Sequence, residues 1–263
     1  MTTSVTDAGL WVWPEHEPVI DLSLFYILTY PKQGLSRIDA ARLLGEGPEV
    51  WSNRKSAPIQ YLLKYGQHGV AERIYYRLAR ALNLPHQSVF WAIHPDFPDL
   101  VAVAIKFEAD AFRPKRIDPD ASTVTYRRRV TPVLNGTDFY RHHVLQTFLG
   151  SGDHTQMMVK QNILFGIDAA DCTPSSWRSE GFWQRFAEWF TDKSKSEQVA
   201  ATVMEMMGSL ARQADIPAWI EQELQAAPNA IVRSMSSRYV DAVQTMQEAL
   251  REFLEDEDQS VTP

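Results

Sequence analysis

Phe148-Leu149-Gly150-Ser151-Gly152-Asp153-His154, then Gln156-Met157-Met158-Val159, then Asn162-Ile163-Leu164-Phe165-Gly166-Ile167-Asp168, is the segment on which the fold turns. A helix over Thr137–Leu149 runs into a glycine-bracketed loop. Two short apolar runs follow, Met157–Val159 and Ile163–Ile167, separated by Lys160-Gln161-Asn162, the pattern of a hairpin. Asp153 and Asp168 are thereby brought to the two ends of one hairpin. That layout suits a catalytic Asp in a loop and a metal-holding Asp just past a strand. Magnesium prefers hard oxygen ligands and takes one or two carboxylates plus substrate phosphates. A loop carboxylate can orient or deprotonate an acceptor hydroxyl.

Upstream, Ile59–Tyr65 reads as a strand with Lys64 near its end. Gly66-Gln67-His68-Gly69 reads as a flexible link. Val70, Ile74, Leu78 and Leu82 recur at helical spacing, and Asn83-Leu84-Pro85 stops that helix. Glu72 lies on it, eight residues after Lys64. A lysine aimed from a sheet at a nucleotide phosphate needs a carboxylate to hold it, and a neighbouring helix supplies one. The same spacing also describes an ordinary surface ion pair. Two strands, Ser88–Ile93 and Leu100–Phe107, complete this half, and Ser36–Leu44 reads as a short helix capped by Ser36.

Ala109–Leu134 is polar and variable. Its run Arg127-Arg128-Arg129 is either a solvated face or a phosphate or partner contact. Beyond Trp177 the pattern is helical: a stripe of Phe182, Phe186, Trp189 and Phe190, then Gln198–Ala214, Pro217–Gln225 and Ile231–Leu254. Such aromatic and Met stripes are core; the alternative is a docking surface carrying Met204, Met206 and Met207. The expected fold class is α+β and two-lobed. Residues 1–108 form a small mixed β/α lobe, residues 109–255 a larger, mostly helical lobe, and residues 256–263 an acidic, frayed tail.

The segment from Leu149 to Asp168 resembles the catalytic loop and metal-binding segment of phosphatidylinositol-3-kinase-like and HipA-like kinases. Tyr61-Leu62-Leu63-Lys64-Tyr65, Ala71-Glu72 and Leu78-Ala79-Arg80-Ala81-Leu82-Asn83-Leu84-Pro85 are similar to the HipA-like strand and helix. The resemblance covers roughly 59–168 and implies a protein-kinase-like fold. It implies Lys64 on the nucleotide phosphates, Glu72 positioning it, Asp153 as catalytic Asp and Asp168 on magnesium. His154, beside Asp153, either stabilises transferring charge or makes a structural hydrogen bond. The family's metal-binding Asn is absent at its usual spacing, and Gln156 is the nearest stand-in. No glycine-rich loop precedes Lys64; Arg54 and Lys55 in Ser52–Ser56 occupy its place as candidate phosphate contacts. Ala169-Ala170 follow Asp168. The activity implied is ATP- and magnesium-dependent phosphoryl transfer to a protein Ser or Thr. A toxin or growth-control role and a regulatory protein partner are implied as well. The alternative is a pseudokinase or nucleotide-sensing module.

Bulk properties agree with a globular protein of this size. The 263 residues suffice for two lobes sharing a cleft. A net charge of -7 argues against nucleic acid as the main partner. The single cysteine, Cys172, excludes an intramolecular disulfide and reads as a small buried hydrophobe. With no apolar run near the ~20 residues a bilayer span needs, and no signal-peptide pattern, a cytoplasmic protein without membrane contact is expected.

Overall fold

The computed structural model describes residues 11, 13–29, 38–43, 60–108, 110–118, 122–151, 156–173, 180–191 and 197–260. The N-terminal half holds a six-stranded sheet in the order β1-β5-β6-β4-β3-β2. Its strands are β1 (Ile20–Asp21), β2 (Phe25–Thr29), β3 (Ile38–Leu43), β4 (Tyr61–Tyr65), β5 (Val89–Ile93) and β6 (Ala102–Lys106). All pairings are antiparallel except β1 with β5. Helix α1 (Gly66–Ala81) follows β4 directly.

Helix α1 buries ten of its side chains or glycine positions, among them Val70, Ile74 and Leu78. They pack on Val89, Trp91, Val103 and Ile105 of the sheet. Each large aliphatic chain buried there contributes about 1.5–3 kcal/mol. The helix opens at Gly66, whose φ of 61° is left-handed and favours glycine. It closes in a Schellman motif: Leu84 N–H donates to Ala79 O at 2.7 Å, Asn83 N–H to Arg80 O at 3.1 Å, and Asn83 takes the left-handed turn at φ 55°. The other sheet face presents Leu63, Ala92, Ala102 and Ala104, covered by Leu22.

A three-stranded sheet, β7 (Arg116–Ile117), β8 (Thr123–Tyr126) and β9 (Arg129–Pro132), comes next. Helix α2 (Asp138–Phe148) leads to the hairpin β10 (Gln156–Lys160) and β11 (Ile163–Ile167). Val124 and Val133 of the small sheet share a cluster with Met157, Val159 and Leu164 of the hairpin, fastening the two together. Helices α3 (Glu180–Thr191), α4 (Glu197–Arg212), α5 (Ile216–Gln225), α6 (Ala230–Ser234) and α7 (Ser236–Ser260) complete the chain. One core runs from α1 through α2 into these helices, including Phe148, Trp183, Met207, Leu224 and Leu250.

The α+β, two-lobed reading holds, with local corrections. Residues 38–43 form a strand, not a helix, because β2 and β4 pair with both edges. Gly66–Gly69 is the first turn of α1, not a link. The polar stretch 109–134 contains β7–β9, and Arg127 and Arg128 are its hairpin turn, at φ 46° and 65°. The last predicted helix is broken at Met235, and α7 runs on to Ser260 through most of the expected frayed tail. Met206 and Met207 are buried, so that stripe is core, not a docking surface. Cys172 is buried and free, as a small hydrophobe would be.

Candidate functional site

Lys64 sits on β4 opposite Ile38 of β3 and Val103 of β6. Alternation along the strand turns it, with Leu62, to the face that carries α1. There it ion-pairs with Glu72, from the second turn of α1, and its Nζ lies 2.5 Å from Asp168 Oδ1, 104 residues away in sequence. Lys64 and Glu72 are buried, while the Asp168 side chain is 42% exposed. Three sequence-predicted residues are thus brought to one point, with one carboxylate sealed inside and the other open to solvent. Burial alone would lower the Lys64 pKa, but the Glu72 and Asp168 carboxylates outweigh it and hold the ammonium charged. Burial raises the Glu72 pKa, and Lys64 opposes that shift.

Asp168 lies one residue past β11 with φ 55°, a left-handed backbone rarely taken by residues other than glycine and a kind of strain that collects at functional sites. Gln156 opens β10 opposite Ile167, and its Nε2 donates to Asp168 Oδ2 at 3.0 Å. Exchanging the amide's N and O would turn the carbonyl toward the same space. Asp168 and, with that exchange, Gln156 are thus the oxygen donors here that could hold a hard cation such as magnesium alongside phosphate and water oxygens. Among the described residues no group of three His, Cys, Asp or Glu could hold a metal by itself. Asp153, His154, Arg54 and Lys55 lie outside the described residues.

Behind Asp168 is a buried network that sequence reasoning missed. His142 Nε2 lies 2.8 Å from Pro85 O, and a carbonyl only accepts, so Nε2 carries the proton. Nδ1 is then the acceptor, and the Tyr75 hydroxyl donates to it at 2.7 Å. His86 Nδ1 donates to Gln87 O at 2.8 Å, which leaves Nε2 bare and, among the described residues, without a hydrogen-bond partner. Burial pushes the His86 pKa down to about 4 and the His142 pKa down to about 3, so both rings are neutral. They close on Gly166, two residues before Asp168. A Cβ there would stand 2.7 Å from His142 Cε1 and 2.8 Å from His86 Cδ2. Gly166 N–H also donates to Pro85 O at 2.9 Å, and its carbonyl accepts from Gln87 N–H at 3.1 Å. The only sequence signal was a glycine inside a strand pattern, which marks close approach of another group.

A cavity of about 480 Å³ lies elsewhere, lined by Tyr61, Phe90 and Lys106 among others. These residues belong to the sheet face opposite Lys64, so that cavity is separate from the Lys64 cluster.

No model of a known protein family matches the sequence, and no curated protein does. Solved structures do match. The proinflammatory kinase CtkA of Helicobacter pylori superposes with a TM-score of 0.50 at 11% identity, over 94% of this chain and 100% of that one. HipA of Shewanella oneidensis MR-1, solved as a toxin–antitoxin complex with HipB and operator DNA, gives 0.50 at 13% identity, over 98% of this chain and 72% of that one. At these identities the likeness is one of fold, and the fold is that of HipA-like kinases.

Proposed function

We propose, from a chain with the HipA-like kinase fold, an ATP- and magnesium-dependent phosphotransferase acting on a Ser or Thr hydroxyl of a protein. The observation that carries this reading is the convergence of Lys64, Glu72 and Asp168 on one point, half buried and half open. Lys64 would hold nucleotide phosphates, with Glu72 fixing the ammonium from behind. Arg54 and Lys55 would cover the phosphates from the segment before β4. Asp168 and Gln156 would hold the magnesium ion. When bound, that ion neutralises charge on the phosphate oxygens as transfer proceeds. Asp153 would accept the acceptor's proton, with His154 beside it. The acceptor oxygen forms a bond to the γ-phosphorus, the bond to the bridging oxygen breaks, and ADP leaves with its electron pair.

The solved HipA structure contains a partner protein, HipB. By analogy we propose a regulatory protein partner and a growth-control role for this chain in the cytoplasm. Incubation with labelled ATP and magnesium tests the activity. Label is expected on the protein or an added acceptor, reduced about 100-fold or more by Asp153→Ala. No turnover and no transfer, with Asp153→Ala indistinguishable from wild type, refutes it.

One observation favours a second reading, a pseudokinase or nucleotide sensor. The family's metal-binding Asn is absent at its usual spacing, and the nearest stand-in, Gln156, has its amide engaged with Asp168. Nucleotide-dependent stabilisation without turnover selects that reading.

A further inference from the structure

Six of the chain's twenty-six basic residues fall within residues 113–129, although the protein as a whole carries a net charge of -7. They are Arg113, Lys115 and Arg116, entering β7, and Arg127, Arg128 and Arg129, at the β8–β9 turn. Lys115 N–H donates to Thr125 O at 2.7 Å, which sets the first group beside the second at one end of the small sheet. Such a local surplus against an acidic background creates a field that selects anions.

The first group also lines a concave space. Arg113, Lys115 and Arg116 form one wall of a cavity of about 240 Å³, and Phe139, Gln156 and Met157 form another. Gln156 is the residue that donates to Asp168. The basic wall therefore stands one side chain from the Lys64–Asp168 cluster. Its position is fixed by the β7–β9 sheet packing on the hairpin, and by mutual backbone hydrogen bonds between Phe112 and Val159 at 2.9 and 3.0 Å. Arg113 and Lys115 are exposed, with no ion-pair partner among the described residues. Arg116 has one distant partner, Asp118 Oδ1 at 3.7 Å.

The geometry points to an acceptor-recognition subsite for an acidic polypeptide segment, with Asp or Glu near the hydroxyl to be phosphorylated. This inference rests on the phosphotransferase reading above and names its substrate class. The cavity is below the ~300 Å³ at which small-molecule sites begin, so it suits a carboxylate side chain. A nucleic acid would bring its whole phosphate backbone against a protein of net negative charge, whereas a short acidic segment meets only the basic wall.

The test uses short peptides with one central Ser, flanked by Glu, by Lys or by Ala, and the intact protein. Two variants accompany it: Arg113→Ala/Lys115→Ala/Arg116→Ala and the corresponding triple Glu substitution. Arg113, Lys115 and Arg116 are exposed, and surface changes of this kind leave a fold intact. Wild type is expected to show a KM for the acidic peptide about 10-fold below the others, falling away with salt. The triple Ala variant should lose that advantage at unchanged kcat, and the triple Glu variant should prefer the Lys-flanked peptide. Equal KM values for all three peptides, or a preference unmoved by either variant, overturn the subsite. Peptide binding by fluorescence anisotropy separates this from failure of the underlying reading. Acidic-peptide binding that the triple Ala variant loses, without phosphate transfer to any peptide, keeps the subsite and rejects the activity. Tighter binding of a single-stranded oligonucleotide through the same residues overturns the acidic-peptide assignment.

Discussion

Arg73 and Glu223 meet through two hydrogen bonds to one oxygen: Arg73 Nε and Nη2 lie 2.8 and 2.5 Å from Glu223 Oε1. Trp91 Nε1 donates to the same oxygen at 2.7 Å, and Glu17 accepts a further bond from Arg73 at 3.1 Å. Arg73 follows Glu72 in α1, so this buried pair locks the helix that presents Glu72 onto α5 of the helical half. Glu223→Ala would leave the guanidinium buried with Glu17 as its remaining carboxylate. A loss of about 3–5 kcal/mol is expected in urea unfolding, and Glu223→Gln should cost less. A loss below about 1 kcal/mol would show that Glu17 alone suffices.

Gly166 is bounded by two buried imidazole rings, and Tyr75 and Pro85 hold that of His142 in place. Gly166→Ala is expected to destabilise the protein by about 1–3 kcal/mol through overpacking. It should also move Asp168, two residues on. Urea unfolding reads the first effect, and magnesium-dependent nucleotide affinity reads the second. A variant as stable as wild type would mean that the rings can shift.

Acid should weaken the fold through the same rings. The folded pKa values are depressed to about 4 for His86 and about 3 for His142, against about 6.5 in an unfolded chain. Below about pH 6.5 the unfolded chain takes up protons that the folded chain refuses. The stability is therefore complete above that pH and declines as pH falls toward 4 and then 3. Each histidine contributes a slope of up to about 1.4 kcal/mol per pH unit. Urea unfolding at pH 7.5, 5.5 and 4.5 measures it, and His86→Leu should remove roughly half of the histidine slope. A slope unchanged in that variant would contradict the assignment.

Much of this arrangement is legible in the amino-acid sequence. The β10–β11 hairpin announced itself by two apolar runs flanking Gln161-Asn162, both of which adopt positive φ. Helix α1 was marked by Val70, Ile74 and Leu78, and Lys64 and Glu72 by a family phrase carried over residue by residue. What escaped was non-local or ambiguous. Ile38–Leu43 has spacing that fits either period, and only its pairing with β2 and β4 makes it a strand. The β8–β9 turn uses Arg127-Arg128 where Asn-Gly would have signalled a hairpin. His86 and His142 are 56 positions apart, and no local rule brings both to Gly166. The same holds for Arg113, Lys115 and Arg116, whose meaning depends on the cavity beside Gln156.

Thermal unfolding with millimolar ATP and magnesium tests the proposed nucleotide-phosphate site of Lys64, Glu72 and Asp168. A ligand bound only by the folded state stabilises by about 2.7 kcal/mol at a hundred times its Kd. Wild type is therefore expected to melt several degrees higher with ATP and magnesium than without. Lys64→Met and Asp168→Asn should abolish most of that shift. No shift in the wild type at millimolar ATP, or an equal shift in all three proteins, would contradict the account.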